Sequence, residues 1–306
     1  MKLEIKGHSG CGLDIIENND GSLLVKKFTD KKSYFDRLKL QATKQIEDNY
    51  ARTTNGVSVP EILETGLEDN DNRYYVLMQY IYGKNFIDFF EHASKEDIDH
   101  VVSMLCEYIT KELDSAKIEN IKSSIFLDKL DSIEKNCLNN DILKEGNNME
   151  VVKDIITLSR SIYSNMPKSI EVPVGSCHGD LTFSNLLFSK NRMYIIDYLD
   201  SFVETPIQDI AKVRQDTKYH WSLLMYDKTH NVDFIRVFMI FKYIDERIDI
   251  YFKNSKFSKY YSNLYNYFQL MNLLRILPYV KEKYVYEFLV KALKNILYQK
   301  NTWTIE

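Results

Sequence analysis

Apolar positions in the first eighty residues recur in short bursts broken by turn residues. Residues 3–6 and 13–18 read as strands around a loop at 7–12, Gly-His-Ser-Gly-Cys-Gly. Asn19-Asp20-Gly21 is a tight-turn signal leading into a bulky apolar strand at 22–28. The pattern then changes period. Phe35, Leu38, Ala42, Ile46 and Tyr50 fall on or near one stripe, which predicts a helix over 31–50. Residues 59–63 and 74–80 read as two more strands, so the expected order is β-β-β-α-β-β. Gly83 punctuates the chain, and beyond it the pattern is mostly helical. Helices are predicted over 86–92, 98–113, 150–163 and most of 232–299, with a break at Pro278. The exception is 172–196, where short apolar runs flank a polar motif.

Composition narrows the field without naming a function. The 306 residues are 44% hydrophobic and 13% aromatic, enough for a full core in one large or two modest domains. The formal net charge is −4 and no Lys/Arg run stands out, so neither nucleic acid nor an anionic membrane is the expected partner. Cys11, Cys106, Cys137 and Cys177 form no C-x-x-C pair, which predicts neither a disulfide framework nor a zinc site. The start, MKLEIKGHSG, has no apolar signal region, and no apolar run reaches the roughly 18 residues of a membrane span. A cytoplasmic protein without membrane insertion is expected. No repeat or long linker separates the halves, so a cleft between two lobes is expected.

The chemistry is concentrated in CHGDLTFSNLLFSKNRMYIIDYLD, residues 177–200. His178, Asp180 and Asn185 stand at the spacing H-x-D-x-x-x-x-N, and an apolar strand follows that ends at Asp197. That set supplies what phosphoryl transfer from ATP requires: a carboxylate beside the attacking hydroxyl and two oxygen ligands for Mg2+. Asp180 is placed to accept the hydroxyl proton late in the transfer. Asn185 offers a neutral carbonyl oxygen, and Asp197 a carboxylate held at a strand end, both suited to magnesium. His178 reads more naturally as a structural pin of the catalytic loop than as an acid or base. The ordinary alternative is a turn followed by a strand end; Asp197 behind its strand argues against it.

These residues carry a resemblance. HGDLTFSNLLF, followed by IIDYLDSF and then TPIQDIAKV, resembles the aminoglycoside phosphotransferase and choline kinase superfamily, small-molecule kinases with a protein-kinase-like fold. The match is densest over 175–215 and extends in weaker form over most of the chain. It implies an α+β, bilobal protein-kinase-like fold. A small antiparallel-sheet N-lobe with one helix (1–81) would bind nucleotide. A larger, mainly helical C-lobe (82–306) would carry the catalytic loop and acceptor site. The family's roles fall on Asp180 as base and on Asn185 and Asp197 as magnesium ligands. Asp209, in Gln208-Asp209-Ile210-Ala211, matches the family's brace for the catalytic loop. Ser9 and Gly10 become backbone contacts to phosphate, and Gln79 and Ile81 become hinge contacts to adenine.

A kinase also needs a strand lysine for the α/β-phosphates. Lys26 and Lys27 are adjacent, and alternation puts them on opposite faces. Leu23-Leu24-Val25-Lys26 fits the usual context, and the alternative would put Lys26 at a buried position, which is costly; Lys26 is therefore the choice. Its helix partner is Gln41 or Glu47, and the sequence leaves that open. On the acceptor side, Asp200 lies next to the metal ligands. Arg214, Asp216, Tyr219, His220 and Trp221 form a mixed polar-aromatic cluster able to hold a charged substrate. Asp245, Glu246 and Asp249 are candidates for amino groups, although a solvated acidic helix face explains them as well.

The expectation is an ATP- and Mg2+-dependent phosphotransferase acting on a hydroxyl of a small metabolite: a sugar-like compound, an amino alcohol or an aminoglycoside. A nucleotide-binding module without turnover is the rival. A protein-serine kinase is weaker, because D-F-G and A-P-E are both absent.

Overall fold

The computed structural model describes residues 11–18, 20–51, 56–224, 233–299 and 303. Strands β1 (Gly12–Glu17) and β2 (Leu23–Thr29) precede helix α1 (Phe35–Ala51). Then come β3 (Val57–Ser58), β4 (Ile62–Glu68), β5 (Arg73–Gln79), α2 (Phe86–Phe90) and α3 (Lys95–Ser115). Next are β6 (Lys117–Lys122), α4 (Ser124–Cys137), α5 (Asp141–Lys144), α6 (Asn148–Ser164) and β7 (Ser169–Val174). A hairpin, β8 (Leu186–Ser189) and β9 (Arg192–Ile195), follows. The chain finishes with α7 (Pro206–Tyr219), α8 (Trp221–Leu224), α9 (Phe234–Lys253), α10 (Ser258–Leu274) and α11 (Lys283–Tyr298). The expected strand at 3–6 lies outside the described residues. By compactness the chain divides into Met1–Tyr108 with Phe183–Asp200, and Ile109–Thr182 with Ser201–Glu306.

The first unit is built on an antiparallel sheet in the order β1-β2-β5-β4. Gly21, at φ +81°, closes the β1–β2 turn by donating to the Asn18 carbonyl at 3.0 Å, as the Asn-Asp-Gly signal requires. Leu38 and Ala42 of α1 pack on Tyr74 and Val76 of β5 and on Cys11. The predicted strand at 59–63 is split. Pro60 has no N–H to donate to a ladder, so pairing stops at Ser58 and resumes at Ile62. β3 leaves the sheet altogether and pairs in parallel with β9, making a second sheet in the order β3-β9-β8.

An aromatic floor supports that hairpin. Phe89 of α2 stacks on Phe188 of β8 with ring centroids 4.1 Å apart, and Phe90 meets Phe183 edge-on at 5.3 Å. α2 starts where Asn85 caps it, its side-chain oxygen accepting the Asp88 N–H at 3.0 Å. Just before it, Lys84 and Phe188 exchange both backbone hydrogen bonds at 2.8 Å. Gly83 permits this approach, since a Cβ there would lie 3.1 Å from the Phe188 carbonyl oxygen.

In the second unit α7 is the central element, buried along almost its whole length. Thr205 caps it and Pro206 supplies a first residue with φ already set. His220 ends it in the left-handed region at φ +59°. α10 packs against α7, and Phe268 of α10 meets Phe126 of α4 and Phe202 at 5.4 and 5.5 Å between ring centroids. Inside this contact the Gln208 side-chain amide donates to Asn272 Oδ1 at 2.7 Å, a buried hydrogen bond between the two helices. β6 and β7 form an antiparallel ribbon. β6 had no forecast: its residues Lys117–Lys122 are mostly exposed and carry no apolar alternation. The four cysteines are free and buried. Among the described residues no helix is long and apolar enough to cross a membrane.

Truncation of Phe268 should empty the most aromatic part of this core. Phe268→Ala is expected to lose about 3–5 kcal/mol and Phe268→Leu less than half of that. The midpoints of urea unfolding check the pair, and equal midpoints would refute this packing.

Candidate active site

The second unit holds the first half of the H-x-D-x-x-x-x-N motif. Asp209 stands in the first turn of α7, where the helix dipole favours an anion. Its Oδ2 accepts the backbone N–H of His178 at 2.6 Å, and its Oδ1 that of Gly179 at 2.8 Å. Gly179 can turn the chain because it has no Cβ: its φ is +86°. His178 is fully buried, and its Nδ1 accepts the Asp180 N–H at 3.2 Å. That geometry makes the imidazole a spacer inside the loop. Asp180 emerges from the turn with its side chain 27% exposed, and Lys212 of α7 reaches its Oδ1 at 2.9 Å. Burial pushes the Asp180 carboxyl up, but the Lys212 ammonium, His178 and Arg275 outweigh it. The group is held below the ordinary carboxylate value.

The first unit holds the second half. Asn185 is buried at the foot of β8, and Asp197 follows β9. The antiparallel register pairs Leu186 with Ile195, and the Ile196 N–H donates to the Asn185 carbonyl at 3.0 Å. The two residues therefore stand at the same end of one hairpin. Asp197 adopts φ +65°, a left-handed conformation that Asp tolerates better than most residues. The chain after it is tied to α1. Tyr198 donates to Asp48, Lys44 Nζ donates to the Leu199 carbonyl at 2.7 Å, and Arg37 Nε donates to Asp200 at 2.9 Å.

The lysine assignment needs correction. Lys27, not Lys26, points at Asp197: its ammonium pairs with that carboxylate and donates to Gln41 Oε1 at 3.2 Å, with the side chain 9% exposed. Lys26 lies on the other face of β2, paired with Glu68 and 4.5 Å from the Tyr75 ring centroid. The burial expected of Lys26 when Lys27 faces inward does not occur, because that face is partly open and supplies Glu68 as a counter-charge. The helix partner is Gln41; Glu47 is exposed.

Other forecast residues separate in the same way. Arg214 is interior: its guanidinium takes Asp245 in a fork at 2.9 and 2.7 Å and Asp249 at 2.7 Å, with its side chain 7% exposed. Asp216 is fully buried and caps α8, accepting the Ser222 N–H at 2.7 Å and hydroxyl at 2.8 Å. Neither is available to a substrate, so both readings are corrected to structural ones. Asp245 and Asp249 are engaged by the same arginine. Tyr219 is buried, and burial pushes its phenol up. Trp221 is half-buried beside Phe288. The Gln79 N–H donates to the Glu61 carbonyl at 2.9 Å. Ile81 is half-buried in the segment after β5. Ser9 and Gly10 lie outside the described residues. The sequence reading missed Lys212, although its place one helical turn after Asp209 was a usable signal.

With this geometry in hand, comparison with known proteins is direct. The profile of the APH phosphotransferase enzyme family matches residues 17–227. The chain belongs to that family, which makes it an enzyme of the phosphotransferase class. Among solved structures, it is similar to a thermostable mutant of aminoglycoside phosphotransferase APH(4)-Ia in ternary complex with ADP and hygromycin B. The identity is 11%, coverage is 99% of this chain and 95% of that one, and the TM-score is 0.62. A choline/ethanolamine kinase family protein from Mesorhizobium loti matches at 15% identity, covering 99% and 91%, with a TM-score of 0.59. A fructosamine-3-kinase candidate from Thermobifida fusca YX-ER1 matches at 14%, covering 97% and 93%, with a TM-score of 0.58. The fold is thus the α+β protein-kinase-like one that the motifs implied. A comparison with curated protein sequences gives no match.

The Asp209 carboxylate should hold the His178–Gly179 turn closed. In Asp209→Ala, hydrogen exchange at those two amides is expected to rise at least about tenfold, with a lower thermal midpoint. Asp209→Asn, which keeps one acceptor, should fall between. Unchanged exchange in both variants would contradict the bracing geometry.

Proposed function

We propose that the chain is an ATP- and Mg2+-dependent kinase that transfers the γ-phosphoryl group to a hydroxyl of a small metabolite. The observation that carries the proposal is the part-buried contact of Lys27 with Asp197, two residues 170 positions apart. A buried lysine meets a partly exposed carboxylate at the end of the motif hairpin, where a nucleotide's phosphates and their metal need one of each. In this reading residues 1–81 form the nucleotide lobe and 82–306 the catalytic and acceptor lobe.

The donor chemistry fits magnesium. Asn185 offers an amide oxygen and Asp197 a carboxylate, the few hard ligands that Mg2+ takes when phosphates and water complete its shell. Among the described residues no cluster of three His, Cys, Asp or Glu side chains could hold a metal unaided. When bound, the ion would neutralise charge on the β- and γ-phosphate oxygens. Lys27 then exchanges part of its contact with Asp197 for phosphate oxygen. Asp180 accepts a hydrogen bond from the acceptor hydroxyl, whose oxygen forms the new bond to the γ-phosphorus. The bond from that phosphorus to the β–γ bridging oxygen breaks, ADP departs, and the hydroxyl proton passes to Asp180. Ser9, Gly10 and Ile81 remain proposed nucleotide contacts, and Asp200 a proposed acceptor contact through its position after Asp197.

For the acceptor, the similar proteins point to sugar-like compounds, amino alcohols and aminoglycosides. The engagement of Asp245 and Asp249 by Arg214 removes two groups that would have read amino substituents, which favours the sugar-like class. A cytosolic location, where ATP is supplied, goes with this function.

Two experiments test the reading. Calorimetry with the non-hydrolysable analogue AMP-PNP and Mg2+ should show Lys27→Ala binding at least about tenfold more weakly, with Lys26→Ala within about twofold of the parent. The reverse order would restore Lys26. An ADP-release screen over sugars, choline, ethanolamine, amino acids and aminoglycosides should find an acceptor. With it, Asp180→Asn should lose roughly 10²–10⁴-fold in turnover while still binding nucleotide. Parent-like turnover would sink the base assignment. Silence across the panel with nucleotide still bound would favour a non-catalytic nucleotide-binding module.

A further inference from the structure

Lys212 is the least expected residue of α7. It lies in a helix that is buried almost end to end, and its own side chain is 11% exposed. An ammonium in such a place is costly unless an anion meets it. The anion is Asp180, at 2.9 Å. Position matters as much as charge. Asp209 and Lys212 are three residues apart, so they share a face of the helix. The carboxylate of Asp209 takes the backbone N–H groups of His178 and Gly179, and the ammonium of Lys212 takes the side chain of the next residue. One helical turn thus holds the His-Gly-Asp loop twice, with opposite charges acting on backbone and on side chain.

We propose that Lys212 is a positioning residue for Asp180, fixing one carboxylate oxygen and supplying a counter-charge to this partly buried group before the acceptor arrives. The inference rests on the base assignment of Asp180. Phosphoryl transfer through a loose transition state asks more of the base's orientation than of its strength, because the proton moves late. A lysine that orients a carboxylate and lowers its proton affinity is therefore compatible with catalysis. Among the described residues, the charged and titratable groups that act on the carboxylate include Lys212 on α7, His178 in the loop and Arg275 just beyond α10. Burial works against ionisation and Lys212 is the largest opposing influence. Removing it leaves burial less opposed, so the protonation midpoint of Asp180 must move up.

The test is a pH titration followed by carbon NMR on protein labelled at the aspartate carboxyl carbon, with the Asp180 signal assigned by its loss in Asp180→Asn. In Lys212→Met the midpoint should rise by about one pH unit or more, and Lys212→Arg, which restores the charge, should recover most of the shift. In the ADP-release panel, Lys212→Met should lower kcat at least about tenfold while the KM for ATP stays within about twofold. An unshifted midpoint in Lys212→Met overturns the proposal, as does a shift that Lys212→Arg does not reverse. Parent-like turnover of Asp180→Asn, with the midpoint still shifting in Lys212→Met, would remove the base assignment and leave the pairing intact. The two failures are therefore distinguishable.

Discussion

The His178–Asp180 loop has its observed shape because a buried carboxylate needs donors and two buried amides need an acceptor. Asp209 meets both needs at the start of α7. Without it, the His178 and Gly179 N–H groups would be shielded from water with no acceptor, at about 1–3 kcal/mol each. The requirement explains the neighbouring residues. Gly179 must take a positive φ so that successive amides can point at one carboxylate, and Thr205 and Pro206 must start the helix where Asp209 falls in its first turn. Asp180 then leaves the loop in a direction set by backbone geometry.

The same economy of charge recurs across the molecule. Lys27 is buried on Asp197, Lys212 on Asp180, and Arg214 on Asp245 and Asp249. In each case a cation in a dry place is met by a carboxylate, as desolvation demands. The three pairs differ in what they leave accessible. The Asp197 and Asp180 side chains remain 39% and 27% exposed. Arg214 is enclosed by two carboxylates and two tyrosines, an arrangement that suits a helix-to-helix joint rather than a binding surface.

Much of the candidate site was legible because its residues are local in sequence. The H-x-D-x-x-x-x-N spacing and the strand before Asp197 come from one hairpin and one turn, and backbone geometry over such a short span follows from residue type. The β1–β2 turn and the stripe of α1 were legible for the same reason. Readings failed where the deciding partner was remote. The choice between Lys26 and Lys27 depended on Glu68 and Asp197, and that between Gln41 and Glu47 on the rotation of α1 over the sheet. Arg214 and Asp216 looked like surface chemistry because nothing near them in sequence shows that α9, α10 and α8 cover them.

The sequence by itself therefore determined the elements and the chemical vocabulary: strands where apolar residues alternate or cluster, helices where they recur by the turn, and a carboxylate, an amide and a second carboxylate at spacings suited to phosphoryl transfer. Only the tertiary structure decided which charge meets which. It brought β3 beside β9, paired the featureless β6 with β7, turned Lys27 toward Asp197 and laid Lys212 against Asp180. The physical reason is that propensity and periodicity act over a few residues. The energy of a buried charge depends instead on whatever the fold brings within a few ångströms, however distant in the chain.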